Sequence, residues 1–295
     1  MNNILLAGAT GYLGSHIARE LSRRGISYRA LARNQSKLVE LELNATEAWR
    51  AEVTDAASLD GCCDGIDTVI STVGITRQKD GLRYMDVDYQ ANLNLLQEAQ
   101  KSGVRKFIYV SVLHGDQLRH LKICEAKERF VDRLKRSGMD YCVVRPNGFF
   151  QDMTEFFSMA KRGRVYLLGN GQWRSNPIDG SDLACACVDA INGAEPEINI
   201  GGPEVLTHEG IADLAFAAMG KAPKITKIPA WASALTLAVL RGTTSSRTYG
   251  PIEFFLTVMS MDMLAPRHGS RTMAGYFADL QDAANAENAE KGSAS

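Results

Sequence analysis

Short apolar runs alternate with longer stretches of helical period through the first half of the chain. The runs at 3–8 (NILLAG), 28–33 (YRALAR), 67–72 (DTVIST), 107–112 (FIYVSV) and 141–146 (YCVVRP) have the length and the β-branched or aromatic content of strands. Between them, apolar positions near 12–24, 86–102 and 118–137 recur at the spacing of a helix. Several of these periods stop at a glycine, namely Gly25, Gly103 and Gly138, the residue that accepts the left-handed conformation closing a helix. Strand and helix in alternation predict βαβ units and a parallel sheet.

After Pro146 the rhythm changes. The helical stretches FFQDMTEFFSMAKRG, SDLACACVDAIN and GIADLAFAAMG are separated by short runs such as VYLLG and INIGG. The expected organisation is a sheet domain over 1–147 and a smaller helix-rich lobe over 148–282 with segments returning to the sheet. The small polar residues of 283–295 are expected to form a disordered tail.

Composition narrows the classes. Of 295 residues, 45% are hydrophobic and 23% charged, the balance of a folded globular protein. The net charge of -1 makes no overall electrostatic case for nucleic acid or an anionic membrane. The N-terminal apolar run is too short for a targeting signal, so a cytoplasmic location is expected. The six cysteines lack the spacing of a zinc site and read as reduced, mostly buried thiols, so no metal is expected. Two late apolar stretches, WASALTLAVL (231–240) and FFLTVMSMDML (254–264), are too short to span a bilayer. They read as buried helices of the lobe, with weak membrane or protein docking through 231–264 as the other reading.

The chemistry begins at GATGYLGSHI, residues 8–17. Gly8, Gly11 and Gly14 follow an apolar strand and open a helix, with Thr10, Tyr12 and Leu13 between and beside them. Such a loop turns tightly, lets backbone N–H groups approach a pyrophosphate, and places the helix N-terminus beneath it. At the end of the second strand, where a carboxylate would hold the ribose hydroxyls of NAD, the sequence reads LARNQSK. Arg33 and Lys37 there favour a 2'-phosphate, which predicts NADPH as the cofactor.

The G-x-x-G-x-x-G spacing resembles that of the short-chain dehydrogenases and reductases. The run from VVRPNGFFQDM through KITKIPAW is similar to the atypical, NmrA-like branch, and within it to proteins like the divinyl chlorophyllide 8-vinyl reductases. The resemblance implies a doubly wound α/β fold of Rossmann type. It implies Asp55 beside the adenine, Thr72 and Gly74 beside the nicotinamide ribose, and Pro146, Asn147 and Phe149 at the carboxyl edge of the sheet. It also aligns Ser111 with the family's serine and Lys127 with its active-site lysine. Ile123 stands four residues earlier, where the family has its proton-donating tyrosine.

Helical geometry supports Lys127 independently. Ile123, Lys127, Phe130, Val131 and Leu134 form one stripe, while Glu125, Glu128 and Arg129 lie on its flanks or beyond. A lysine in an apolar stripe requires a partner, either cofactor hydroxyls or a buried carboxylate. Tyr84, Tyr89, His114, His120 and Lys127 itself are the candidate replacements for the tyrosine. Phe149, Phe150, Phe156 and Phe157 read as core or as a wall for a flat apolar substrate, and Asp179 and Asp182 as helix capping and loop anchors. The expected function is an NADPH-dependent reductase acting on a carbonyl or activated C=C of an apolar small molecule. The alternative is a non-catalytic NADP(H)-sensing regulator.

Overall fold

The computed structural model describes residues 3–75 and 81–293. By chain contacts the protein divides into two units. The first comprises 1–146, 183–200 and 244–254; the second comprises 147–182, 201–243 and 255–295.

The first unit is built on a parallel sheet. Its strands are β1 (Ile4–Ala7), β2 (Tyr28–Ala32), β3 (Glu47–Arg50), β4 (Thr68–Ser71), β5 (Lys106–Val110) and β6 (Asp140–Pro146), joined by β9 (Glu197–Ile200). Among the described residues these seven run in the order β3-β2-β1-β4-β5-β6-β9. The chain therefore winds outward from β1 in one direction and then reverses at β4. That reversal opens a crevice at the carboxyl ends of β1 and β4, the position where open α/β sheets bind ligands.

Helices α1 (Tyr12–Arg23), α2 (Ser36–Glu40), α3 (Asn92–Lys101) and α4 (Lys122–Lys135) connect these strands. Every residue of β1, β4 and β5 is buried, as expected for parallel strands covered on both faces. Phe107 and Tyr109 of β5 pack with Phe130, Val131 and Leu134 of α4 and with Leu95, Leu96 and Ala99 of α3. The apolar stripe read from the α4 sequence is thus the face laid on the sheet. β3 (EAWR) is an edge strand that the hydrophobic pattern misses, because its side chains are mostly exposed.

The second unit carries α5 (Phe150–Lys161), β7 (Val165–Leu168), β8 (Arg174–Ser175), the start of α6 (Gly180–Asp189), β10 (Leu206–Thr207), α7 (His208–Ala218), β11 (Ile225–Ile228), α8 (Ala230–Thr243), the end of α9 (Ser246–Val258) and α10 (Met273–Ser293). Its core joins Phe150, Phe156 and Phe157 of α5 with Phe216 of α7 and Phe277 of α10. α10 corrects the expectation of a disordered tail, since residues 283–293 are helical. Ala, Glu and Asn dominate there, and the Ala and Glu among them favour helix strongly enough to extend one already nucleated in the core.

His208 at the start of α7 is buried, with no hydrogen-bond partner for Nδ1 among the described residues. Burial pushes its pKa down to about 4, against a weak upward pull from Asp262. The native state therefore holds a neutral imidazole, whereas the unfolded chain takes up a proton below its ordinary value near 6.5. Stability is expected to be complete above that value and to fall with acid through about 4, with a loss near 2 kcal/mol by pH 5. Urea denaturation of wild type and His208→Asn across this range checks it: the variant should show a flatter acid limb.

Candidate functional site

The glycine loop stands at the crevice. Gly8 follows β1 with φ +85°, and a Cβ there would lie 2.5 Å from Thr72 Oγ1. A Cβ at Gly14 would run into the carbonyl oxygen of Gly8. Both positions call for glycine: Gly8 for its positive φ and the Thr72 hydroxyl against it, Gly14 because helix and loop touch backbone to backbone. Gly11 donates its N–H to Gly8 O at 2.9 Å and is the N-cap of α1, which no side chain caps. The first turn of α1 thus points its N–H groups and positive dipole end toward the loop. Thr10 and Tyr12 are half-buried beside it, and Leu13 is buried beneath. The cradle fits a nucleotide pyrophosphate.

Across the crevice, the segment after β4 is held from below. Ser71 Oγ donates to Asn92 Oδ1 at 2.6 Å, and Asn92 Nδ2 donates to the carbonyls of Val73, Val87 and Asp88 at 3.1–3.3 Å. Residues Met85–Ala91 form a π-helical turn leading into α3. The wider turn frees backbone carbonyls, and the buried Asn92 amide satisfies two of them. It also carries Asp88 inward. Asp88 Oδ2 accepts from Ile75 N at 3.3 Å, and Oδ1 lies 3.0 Å from Lys127 Nζ.

Lys127 therefore has a partner, and it is the buried carboxylate. The lysine also lies over the ring of Tyr109, 5.5 Å from its centroid. Burial alone would lower the pKa of the ammonium, but the facing Tyr109 and Asp88 outweigh it and raise it. A Cβ on Gly74 would meet Asp88 Oδ1 at 2.6 Å and Lys127 Nζ at 2.9 Å. The backbone at Gly74 consequently rests directly on the ion pair. Gly8 meets Thr72, and Gly74 meets Lys127, with Asp88 and Asn92 beneath them. Neither was singled out from the sequence. The available signal was two polar residues, 88 and 92, on the stripe continued by Leu95, Leu96 and Ala99.

Ser111 has a different setting. Its hydroxyl is buried and donates to Glu128 Oε1 at 2.8 Å. Glu128 in turn receives Arg145 Nη1 and Nη2 at 2.5 and 2.8 Å, and Arg145 Nε donates to Glu197 at 2.8 Å. This network corrects two readings. Glu128, placed on the flanks of the stripe or beyond, is fully buried, because the arginine within the apolar strand YCVVRP requires a carboxylate. Ser111, aligned with the family's serine, commits its donor to that carboxylate. His120, a candidate replacement for the tyrosine, lies outside α4 in an exposed turn. Ile123 is buried, and Tyr84 is buried as well.

The remaining positions have settings of their own. Arg33 Nη1 is 3.6 Å from Glu52 Oε2, and both side chains are exposed. Lys37 is exposed on α2, and Asp55 caps a short 3-10 turn by accepting from Ala57 N at 3.1 Å. In the second unit, Asn147 is buried and donates to Asn176 Oδ1 at 3.0 Å and to Met263 O. Phe149 starts α5, its N–H donating to Asp152 Oδ2 at 3.1 Å, while Phe150, Phe156 and Phe157 belong to the core. Asp179 Oδ1 accepts from Ser181 N, and Asp182 Oδ2 accepts from the N–H groups of Ser270 and Arg271. Both act as caps and loop anchors. Among the described residues no cluster of His, Cys, Asp or Glu is arranged to hold a metal, and no helix is long and apolar enough to cross a membrane.

Comparison with known proteins agrees with this geometry. Residues 8–193 match the family described as NAD(P)H-binding. The chain is 28% identical to the rice divinyl chlorophyllide a 8-vinyl-reductase, covering 93% of this chain and 77% of that one. It is 27% identical to the photosystem II assembly factor Ycf39 of Synechocystis, over 81% and 72% of the two chains. Among solved structures, the Escherichia coli NADPH-dependent quinone oxidoreductase QOR2 complexed with NADPH superimposes with a TM-score of 0.69 at 18% identity, over 95% and 99%. An isoflavone reductase reaches 0.73 at 17% identity with the same coverage, and both likenesses concern the fold. Glycine cradle and sequence match lead to the same conclusion: the chain belongs to the NAD(P)H-binding family and is homologous to the divinyl chlorophyllide a 8-vinyl-reductases.

Proposed function

We propose that the protein is an NADPH-dependent reductase whose acceptor is a conjugated C=C or quinone-type carbonyl of an apolar molecule. The observation that carries this reading is the pairing of a lysine under Gly74 with a buried isoleucine one turn before it. Gly8, Gly11, Gly14 and the first turn of α1 would hold the pyrophosphate. Thr72, Gly74 and Lys127 would hold the nicotinamide ribose, and Arg33 with Lys37 the 2'-phosphate. Pro146, Asn147 and Phe149 are proposed at the carboxyl edge. When bound, the nicotinamide supplies a hydride.

The acceptor class follows from what Ile123 cannot do. A simple ketone reduced by hydride becomes an alkoxide and needs a proton from a positioned acid. A conjugated acceptor spreads the new charge over an enolate or quinol oxygen, which water can protonate. The names of the rice relative and of QOR2 belong to that second chemistry. A second reading, a non-catalytic NADP(H)-binding regulator, is favoured by the ion pair that already occupies Lys127 and by the likeness to an assembly factor.

Fluorescence titration with NADPH, NADP+ and NADH under identical salt tests the cofactor, and NADPH oxidation with enones, quinones and simple ketones tests the acceptor. NADPH is expected to bind at least about tenfold more tightly than NADH, a gap near 1.4 kcal/mol, and Arg33→Ser should close it. Equal binding in wild type would overturn the role of Arg33. Tight binding without turnover on any conjugated acceptor would favour the regulator.

A further inference from the structure

The net charge of the whole chain conceals a local asymmetry. Residues 214–252 contain five of the chain's lysines and arginines and none of its 34 aspartates and glutamates. Within that stretch lies α8. Trp231, Leu235 and Val239, four residues apart on one face of the helix, are 70%, 58% and 54% exposed. Such a run of large apolar side chains held in water is uncommon on a soluble surface and marks a binding face.

The charges around it indicate what it binds. Lys221 and Lys224 are exposed just ahead of β11, and Arg241 is exposed in the last turn of α8. Lys227 is also exposed but pairs with Glu209 at 3.0 Å. Arg164 adds a further exposed cation, donating to Thr226 of β11 at 2.7 Å. An apolar stripe headed by tryptophan, in a segment whose own charged residues are all cations, is complementary to the headgroup layer of an anionic bilayer. Tryptophan settles at the interface, apolar side chains enter the acyl boundary, and lysine and arginine meet the lipid phosphates. A helix of 14 residues is too short to span, so it would lie in the interface plane.

We propose that α8 is a docking helix for an anionic lipid surface, through Trp231, Leu235 and Val239, with Lys221 and Lys224 supplying the charge complementarity. The site is independent of the nucleotide cradle and does not rest on the reductase reading.

Sedimentation of the full-length protein with phosphatidylglycerol-containing and pure phosphatidylcholine vesicles tests it, with Trp231 fluorescence read in parallel. Partition into the anionic vesicles is expected to be at least about tenfold stronger, to weaken as salt rises, and to shift the tryptophan emission to the blue. The double variant Trp231→Ser/Leu235→Ser should lose binding while keeping its thermal unfolding midpoint. The charge reversal Lys221→Glu/Lys224→Glu should lose the preference for anionic lipid with the apolar stripe intact. Equal binding to both vesicle types, or unchanged binding by either variant, would overturn the proposal. So would vesicle binding that is absent while wild type self-associates and the serine variant does not, which would assign the face to a second copy of the chain.

Discussion

Asp88→Asn is expected to lower the unfolding free energy by about 3 kcal/mol at neutral pH, because it leaves the Lys127 ammonium buried without its carboxylate. The pH dependence should shift as well. In wild type, Lys127 has a raised pKa, so its contribution is complete below the ordinary lysine value and is lost as alkali passes the folded one. In the variant only Tyr109 is left against burial, so the lysine pKa falls and the alkaline limb should move to lower pH. Urea denaturation at neutral and alkaline pH separates the two. The double variant Asp88→Asn/Lys127→Met should recover much of the loss, since removing both charges leaves no uncompensated ion. A single variant as stable as wild type would mean that Asp88 does not hold Lys127. Nucleotide affinity measured alongside would report on the proposed ribose contact: Lys127→Met should weaken NADPH even where stability is retained.

Gly14→Ala carries the second large effect. Its Cβ would be forced into the Gly8 carbonyl, and no rotamer change relieves a backbone-to-backbone collision. The loop must open, so NADPH affinity is expected to fall by at least about 100-fold, near 2.7 kcal/mol. Gly25→Ala is the comparison. Gly25 also has positive φ, at +67°, but a Cβ there meets nothing within 4 Å. That substitution should cost about 1 kcal/mol of stability and leave nucleotide binding unchanged. Isothermal titration of the two variants reads the contrast, and equal affinities would remove the cradle from the binding site.

The site was unevenly legible. Gly8, Gly11 and Gly14 could be read because their function lies in the backbone, and a tight strand-to-helix turn leaves its mark directly as glycine. Lys127 could be read because a charge within an apolar stripe is conspicuous. Asp88 could not, since it lies on a π-helical turn whose altered phase is invisible to a count of helical spacing. Glu128 was misplaced for a related reason. Spacing put it outside the stripe, yet the buried Arg145, contributed by a strand seventeen residues later, draws it into the interior. Ser111 follows from the same network, because a hydroxyl within reach of that carboxylate becomes part of its satisfaction.

By itself the sequence determined the parallel α/β order, the glycine turn and the lysine on the inner face of α4, because these depend on hydrophobic period and on residues whose backbone needs are local. Tertiary structure decided which charges pair: Lys127 with Asp88, and Arg145 with Glu128 and Glu197. The physical reason is that a buried charge is satisfied by whichever opposite group the packed elements bring within a few ångströms. That distance is set by the sheet order and the turn of each helix, and adjacency along the chain does not contain it.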